Sequence, residues 1–249
     1  MKMRHLAEIA VIFAVGHGRN PWLFALLTIV FASLGRVVRG VTTGGALLGA
    51  GVCFALLWAA GIGGFAALLT VFVLTWIATR FGYRRKQSLG AAEAKTGRDA
   101  TQVLANLGVA SACSLLFVAA PKAALLVAMG AALAEAAADT VSSEIGQAIG
   151  GVPRLITNWR RAAPGTNGAI TLLGSAGGVI AACIVAQVCR LTGVFGSRAA
   201  FICAGAGVAG TIADSILGAT LEHRRVLGNN GVNFISTAIA AVLAILILQ

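Results

Sequence analysis

Apolar runs long enough to cross a bilayer leave this chain few ways to fold. They lie at 22–34, 41–60, 62–79, 103–120, 121–138, 168–187, 199–218 and 232–248. A hydrocarbon core about 30 Å thick takes about 20 residues of helix. The first run is short; the others suffice, some with tilt. Inside lipid each span must satisfy its own backbone hydrogen bonds. Alternating strand patterns are absent, so the expected class is an all-α polytopic bundle of seven or eight spans. One transmembrane domain then covers residues 1–249. Residues 1–20 stand apart as an N-terminal segment. Its apolar stretch 6–15 follows two basic residues, as in a signal peptide, but no small-residue cleavage motif comes after it. It reads as a short membrane or interfacial segment.

Charge fits the same class. Only 11% of residues are charged, against about 25% in soluble domains. The net charge of +11 would suggest nucleic acid in a soluble protein. Here the basic residues gather in a few connections, which is the asymmetry of cytoplasmic loops. Segments 35–40, 80–100, 139–167 and 221–231 hold 13 of the 19 Lys and Arg residues. The opposite face has Lys122, Arg190 and Arg198. The four basic segments are therefore expected in the cytoplasm, Gln249 outside, and the protein in the inner membrane. No nucleic-acid partner is expected. The five cysteines fall in apolar runs or, for Cys189, just past one, without a CxxC pair; they read as packing residues. Gly174 and Gly178 allow close helix approach. The formal Gly205-x-Gly207-x-x-Gly210 match lies inside a span, so packing is its better reading too.

The acids carry the functional signal. Of the eight carboxylates, all but Glu8 lie in or beside a basic segment. Glu135, Asp139 and Asp214 sit at or inside the ends of spans. A charge at the middle of a span costs about 2.5–3.5 kcal/mol or more, so such residues persist where they pair, bind a cation or line a wet cavity. Asp139 and Asp214 are the stronger candidates; Glu135 and Glu93 are weaker.

Three polar clusters share this end. In the first, Lys86 and Lys95 precede Arg98, Asp99, Gln102 and Asn106. Arg98, Gln102 and Asn106 recur every fourth residue and fall on one helical stripe. The second is Asp139-Thr140-x-Ser142-Ser143-Glu144. Asp139, Ser142 and Ser143 share a face if the helix continues; Glu144 joins them only if it ends there. The following loop carries Arg154 and then Pro164-Gly165-Thr166-Asn167-Gly168, turn chemistry before a span. Thr166 or Asn167 could cap that span, leaving its N-terminus as an anion site; a plain capped turn is the alternative. The third cluster is Asp214-Ser215, Glu222, Asn229-Asn230 and Asn233. Carboxylates beside dense basic residues suit a divalent cation with a polyphosphate. Magnesium takes a few carboxylates plus phosphate oxygens and water. No Walker A or protein-kinase signature occurs, so any nucleotide site is of another type.

The ordered motifs GRDATQVLANLG, ADTVSSEIG, PRLIT with PGTNGAITLLGS, ADSILGATLE and NNGVNFIST run across residues 39–248. They resemble the integral membrane family that contains plant phytyl-phosphate kinase. That family is more distantly similar to CTP-dependent polyprenol kinases and CDP-diacylglycerol synthases. The resemblance implies a Mg2+-dependent lipid-phosphate kinase. A nucleoside triphosphate, CTP or ATP, would donate to an isoprenyl monophosphate lipid and give the diphosphate. On this reading Asp139 and Asp214 hold the metal, with Glu144 as third ligand. Lys95 and Arg98 clamp donor phosphates. Arg154 and the backbone at Gly165, Thr166, Asn167 and Gly168 orient a phosphate. Lys86, Asp99, Gln102, Asn106, Ser143, Asn229 and Asn233 complete the substrate and nucleotide pocket. The acceptor's hydrocarbon tail lies between helices and opens laterally to lipid. A lipid-phosphate or anion transporter, a CDP-lipid-forming cytidylyltransferase and a non-catalytic scaffold are the rivals. A homodimer is compatible, and the oligomeric state stays open.

The orientation is directly testable. A reporter fused after Gln249 should be active as an alkaline phosphatase and dark as a fluorescent protein; the reverse pattern would invert the topology.

Overall fold

The computed structural model describes residues 20–92 and 94–249. The 6–15 segment and Glu93 lie outside the described residues. Helix α1 (Pro21–Val37) is followed by α2 (Thr43–Arg80), the short α3 (Tyr83–Ser88), α4 (Ala100–Ala119) and α5 (Ala123–Ile149). A two-residue hairpin, β1 (Arg154–Leu155) and β2 (Ala169–Ile170), precedes α6 (Leu172–Leu191), α7 (Ser197–Leu217) and α8 (Asn229–Leu248). Six described helices are long and apolar enough to cross a membrane, and α1 is a shorter apolar helix. The chain is an all-α, multi-pass membrane protein.

Helix α2 reverses within itself. Gly61 has φ 59° and ψ −148°, a conformation that L side chains rarely reach and glycine adopts freely. A straight helix of 38 residues would be about 57 Å long. Instead Trp76 Nε1 donates to Val38 O at 3.3 Å, and the Arg80 guanidinium donates to the same carbonyl. The end of α2 thus returns to its beginning. The two halves are separate crossings, as the break between the 41–60 and 62–79 runs predicts.

Helix α5 is the axis. It packs against α2, α4, α6, α7 and α8, and every residue from Leu126 to Ala138 is buried. Its sequence there is mostly alanine, which has almost no side-chain entropy to lose and lets neighbouring backbones come close. Glycines do the same from the facing helices. A Cβ at Gly178 of α6 would lie 2.8 Å from Ala138 O, and one at Gly207 of α7 would lie 2.8 Å from Ala134 Cβ. Gly205 faces open space.

The basic connections meet at one end of the bundle. Thr42 N donates to Arg98 O at 2.9 Å and Arg98 N to Gly40 O at 3.0 Å, so the α1–α2 turn pairs with the segment before α4. Gly168 sits against Ser215 O and the Ala219 backbone. Asn230 Nδ2 donates to Thr101 Oγ1 at 3.1 Å. At the other end, Gly63 packs on Thr192 and Val194 of the α6–α7 turn.

Close packing around α5 has a measurable cost when disturbed. Gly178→Leu should lower stability by about 1–3 kcal/mol, read as a fall in the unfolding midpoint in detergent, whereas Gly205→Leu should leave the midpoint nearly unchanged.

Candidate active site

A polar cavity of about 260 Å³ opens at the basic end, between α4, α5, α7, α8 and the 164–171 loop. Each wall has a local cause. Asp99 caps α4: its carboxylate accepts from Gln102 N at 2.9 Å and from Thr101 Oγ1 at 2.7 Å, while Gln102 Oε1 accepts from Asp99 N. The Thr101 hydroxyl first, and then the Gln102 amide, hold the Asp99 carboxyl below its usual range. It stays charged at neutral pH, and its support for the helix fades only as pH falls through that lowered value. This reciprocal cap starts α4 so that Arg98, Gln102 and Asn106 all line the cavity.

The α5 wall carries the acids. Glu135 and Asp139 are four residues apart and share a face. Asp214 of α7 meets them: the Asp139 and Asp214 carboxyls lie within hydrogen-bonding reach of each other, and both are close enough to Glu135 to repel it. Ser236 Oγ of α8 donates to Asp214 Oδ2 at 3.1 Å. Glu135 is 1% exposed, and its Oε1 has no hydrogen-bond partner. A Cβ at Gly210 would lie 2.6 Å from Glu135 Cγ, so that glycine makes room for the acid. Arg98 stands near Asp139 and donates to Thr140 Oγ1 at 3.0 Å.

The remaining candidates divide into two groups. Ser143, Gly165, Thr166, Asn167, Gly168, Asn229 and Asn233 line the same cavity. Asn233 Nδ2 reaches Asn106 Oδ1 at 3.4 Å, joining α8 to the α4 stripe. Lys86, Lys95, Asp99 and Arg154 do not line it. Arg154 is exposed and donates to Trp159 O within its own hairpin. Lys95 lies over the Tyr83 ring, 5.8 Å from its centroid. Lys86 is fully buried. It donates to Ala78 O and Thr79 O at 3.0 and 2.7 Å and forms an ion pair with Glu144. Helix α5 does not end at Glu144 but runs on to Ile149. Glu144 touches the cavity with one carboxylate oxygen already committed to Lys86.

The expected cap is also displaced. Neither Thr166 nor Asn167 starts α6. Thr171 does, accepting from Gly174 N at 3.1 Å. Gly168, with φ 73°, turns the chain so that Ala169–Ile170 pairs with Arg154–Leu155 first. Thr166 Oγ1 donates instead to Ala163 O.

Most of the chain, residues 26–241, matches the family described as integral membrane protein DUF92. This protein belongs to that family. An uncharacterised membrane protein of Methanocaldococcus jannaschii is 34% identical over 195 residues, 78% of this chain and 80% of its own. One from Synechocystis is 30% identical over 240 residues, 90% of each chain. The chloroplastic protein VTE6 of Arabidopsis thaliana is 29% identical over 204 residues, 78% of this chain and 61% of that protein. No solved structure matches significantly.

In this DUF92 chain the site also draws on residues that the sequence ranks lower or does not mark. Glu135 ranks below Asp139 in the sequence, although i, i+4 spacing sets the two on one face. Thr140 and Ser215 were in view as neighbours only. Arg85, part of the basic run 84–86, lines the cavity, whereas nothing local to Ser236 marks its partner Asp214 far along the chain.

The Lys86–Glu144 pair should behave as a structural unit. Lys86→Met or Glu144→Gln alone should cost about 3–5 kcal/mol, by leaving a buried charge or its partners unmatched. The double replacement Lys86→Met, Glu144→Leu should recover most of the unfolding midpoint.

Proposed function

We propose that this protein is a membrane lipid-phosphate kinase. It transfers a phosphoryl group from a nucleoside triphosphate, CTP or ATP, to an isoprenyl monophosphate at the cytoplasmic face of the inner membrane. The carrying observation is the contact between the Asp139 and Asp214 carboxyls in a polar cavity with Arg98 beside them. Supporting it is the resemblance of these motifs to the family containing plant phytyl-phosphate kinase, together with the similarity to VTE6.

Neighbouring carboxylates inside a bundle demand a counter-charge, and Arg98 is a single cation. The donor set is all oxygen, and a Glu135 oxygen is left unpartnered. Both features fit Mg2+. Among the described residues, no three Asp, Glu, His or Cys side chains close a metal site by themselves. Two carboxylates alone would leave the ion's remaining positions to water and phosphate oxygens. Asp139 and Asp214 would hold it, and bound there it would offset negative charge on the donor phosphates.

The chain's own groups supply the rest. Arg98 is placed to hold a phosphate against the acids. The backbone at Gly165–Gly168 and the amides of Asn106 and Asn233 offer donors around the same space. An acceptor phosphate oxygen attacks the donor's γ-phosphorus as the bond to the β-γ bridging oxygen breaks, and the nucleoside diphosphate leaves with that electron pair. The acceptor is already an anion at neutral pH, so no strong base is required. Catalysis rests on positioning and charge, as in phosphoryl transfer generally. Glu144 then serves as the counter-ion of Lys86, and Asp99 as the cap that aims the Arg98 stripe.

Purified protein with magnesium, each labelled nucleoside triphosphate and a panel of isoprenyl monophosphates should yield the isoprenyl diphosphate and nucleoside diphosphate. Release of pyrophosphate would indicate a cytidylyltransferase instead. Asp139→Asn and Asp214→Asn should each cut turnover by at least about a thousandfold while the protein still inserts. Turnover at the wild-type rate in both would remove the acids from the mechanism.

A further inference from the structure

A second cavity of about 350 Å³ lies between α1, α2, α4 and α5, and its lining is mostly apolar. Arg98, Gln102 and Asn106 line it as well as the polar cavity, so one stripe of α4 is the wall common to both. At that end Arg39, Arg80 and Lys95 add positive charge. Away from it the walls are Phe31, Leu68, Phe72 and Leu107. From Arg80 back to Leu68 the helix rises about 18 Å, roughly half the thickness of a hydrocarbon core. The space is thus cationic where it meets the acids and apolar as it runs toward the membrane interior.

We infer that this apolar cavity seats the hydrocarbon tail of the acceptor, with the acceptor's phosphate held at Arg98 on the boundary with the polar cavity. The inference rests on the kinase reading for the fate of that phosphate, but not for its binding. A single-tailed lipid phosphate matches both ends: anionic where the cations gather and apolar along the remaining length. Burying a tail there removes hydrocarbon contact with the aqueous mouth and fixes the phosphate next to Asp139 and Asp214. Affinity then comes largely from a part of the substrate that does not react, while orientation is imposed on the part that does.

Gly49 sets how far the tail can reach. It lines the cavity, and a Cβ built on it meets nothing within 4 Å. A larger side chain at Gly49 would enter open space rather than a neighbouring helix. Replacing a mid-helix glycine also removes a local helix penalty. Filling this position should therefore shorten the seat without unfolding the protein. Leu47, 73% exposed on the outer surface of the same helix, provides a control.

The test is photolabelling without nucleotide. Farnesyl monophosphate carrying a diazirine at its tail end is bound to the full chain in nanodiscs and irradiated, and the labelled peptides are mapped. Label should fall on peptides bearing Phe31, Leu68 or Phe72 and be displaced by unlabelled farnesyl monophosphate. Gly49→Phe should reduce displaceable labelling at least about tenfold, Gly49→Leu by less, and Leu47→Phe not at all. Radiolabelled dimethylallyl monophosphate, with its short tail, should bind wild type and Gly49→Phe equally in the same nanodiscs. Label confined to outward residues such as Leu115 or Ile180, undisplaced by the phosphate, would show bulk-lipid contact and overturn the inference. So would Gly49→Phe labelling like wild type. Displaceable labelling without diphosphate formation from any nucleotide would uphold the tail seat and overturn only the kinase reading.

Discussion

Charge cannot face hydrocarbon cheaply, and this constraint organises the whole molecule. Glu135, Asp139 and Asp214 sit on spanning helices, where an exposed carboxylate would cost several kcal/mol. The chain meets that cost by surrounding α5 with five other helices and building its middle mainly from alanine. Glycines on α6 and α7 let the flanking backbones close in. Asp139 and Asp214 thereby face the polar cavity, and Glu135 is buried beside them. A bundle packed more loosely around α5 would admit lipid or water to the same groups and lose the shielding that makes them useful.

A second buried charge holds the rim in place. Lys86 has no solvent exposure, and its ammonium is bonded to Glu144 and to the last carbonyls of α2. The short α3 is thus tied both to the end of α2 and to α5. A basic run at a membrane surface ordinarily reads as a solvated face, and only tertiary packing distinguishes Lys86 from Arg84 or Arg85. That is why the sequence places it among the ligand-binding residues while the fold gives it another partner.

What could be read early was whatever repeats locally. The spans followed from length and apolarity, and the break at Gly61 from the boundary between two runs. The Arg98, Gln102 and Asn106 stripe followed from fourfold spacing. The approach of Asp139 to Asp214, 75 positions apart, depended on helix packing that no local pattern encodes. The start of α6 is not legible locally, because Thr166, Asn167 and Thr171 are all competent caps. The choice among them was made by the β1–β2 pairing, a contact between distant residues.

The single-glycine reversal in α2 bears on how the protein is made. Two crossings joined at Gly61 share no hydrophilic connector, so nothing water-loving has to be handed across the bilayer between them. The pair can enter from one side as a wedge, each half already satisfying its own backbone hydrogen bonds. That far surface then offers proteases and antibodies no accessible loop between residues 43 and 80.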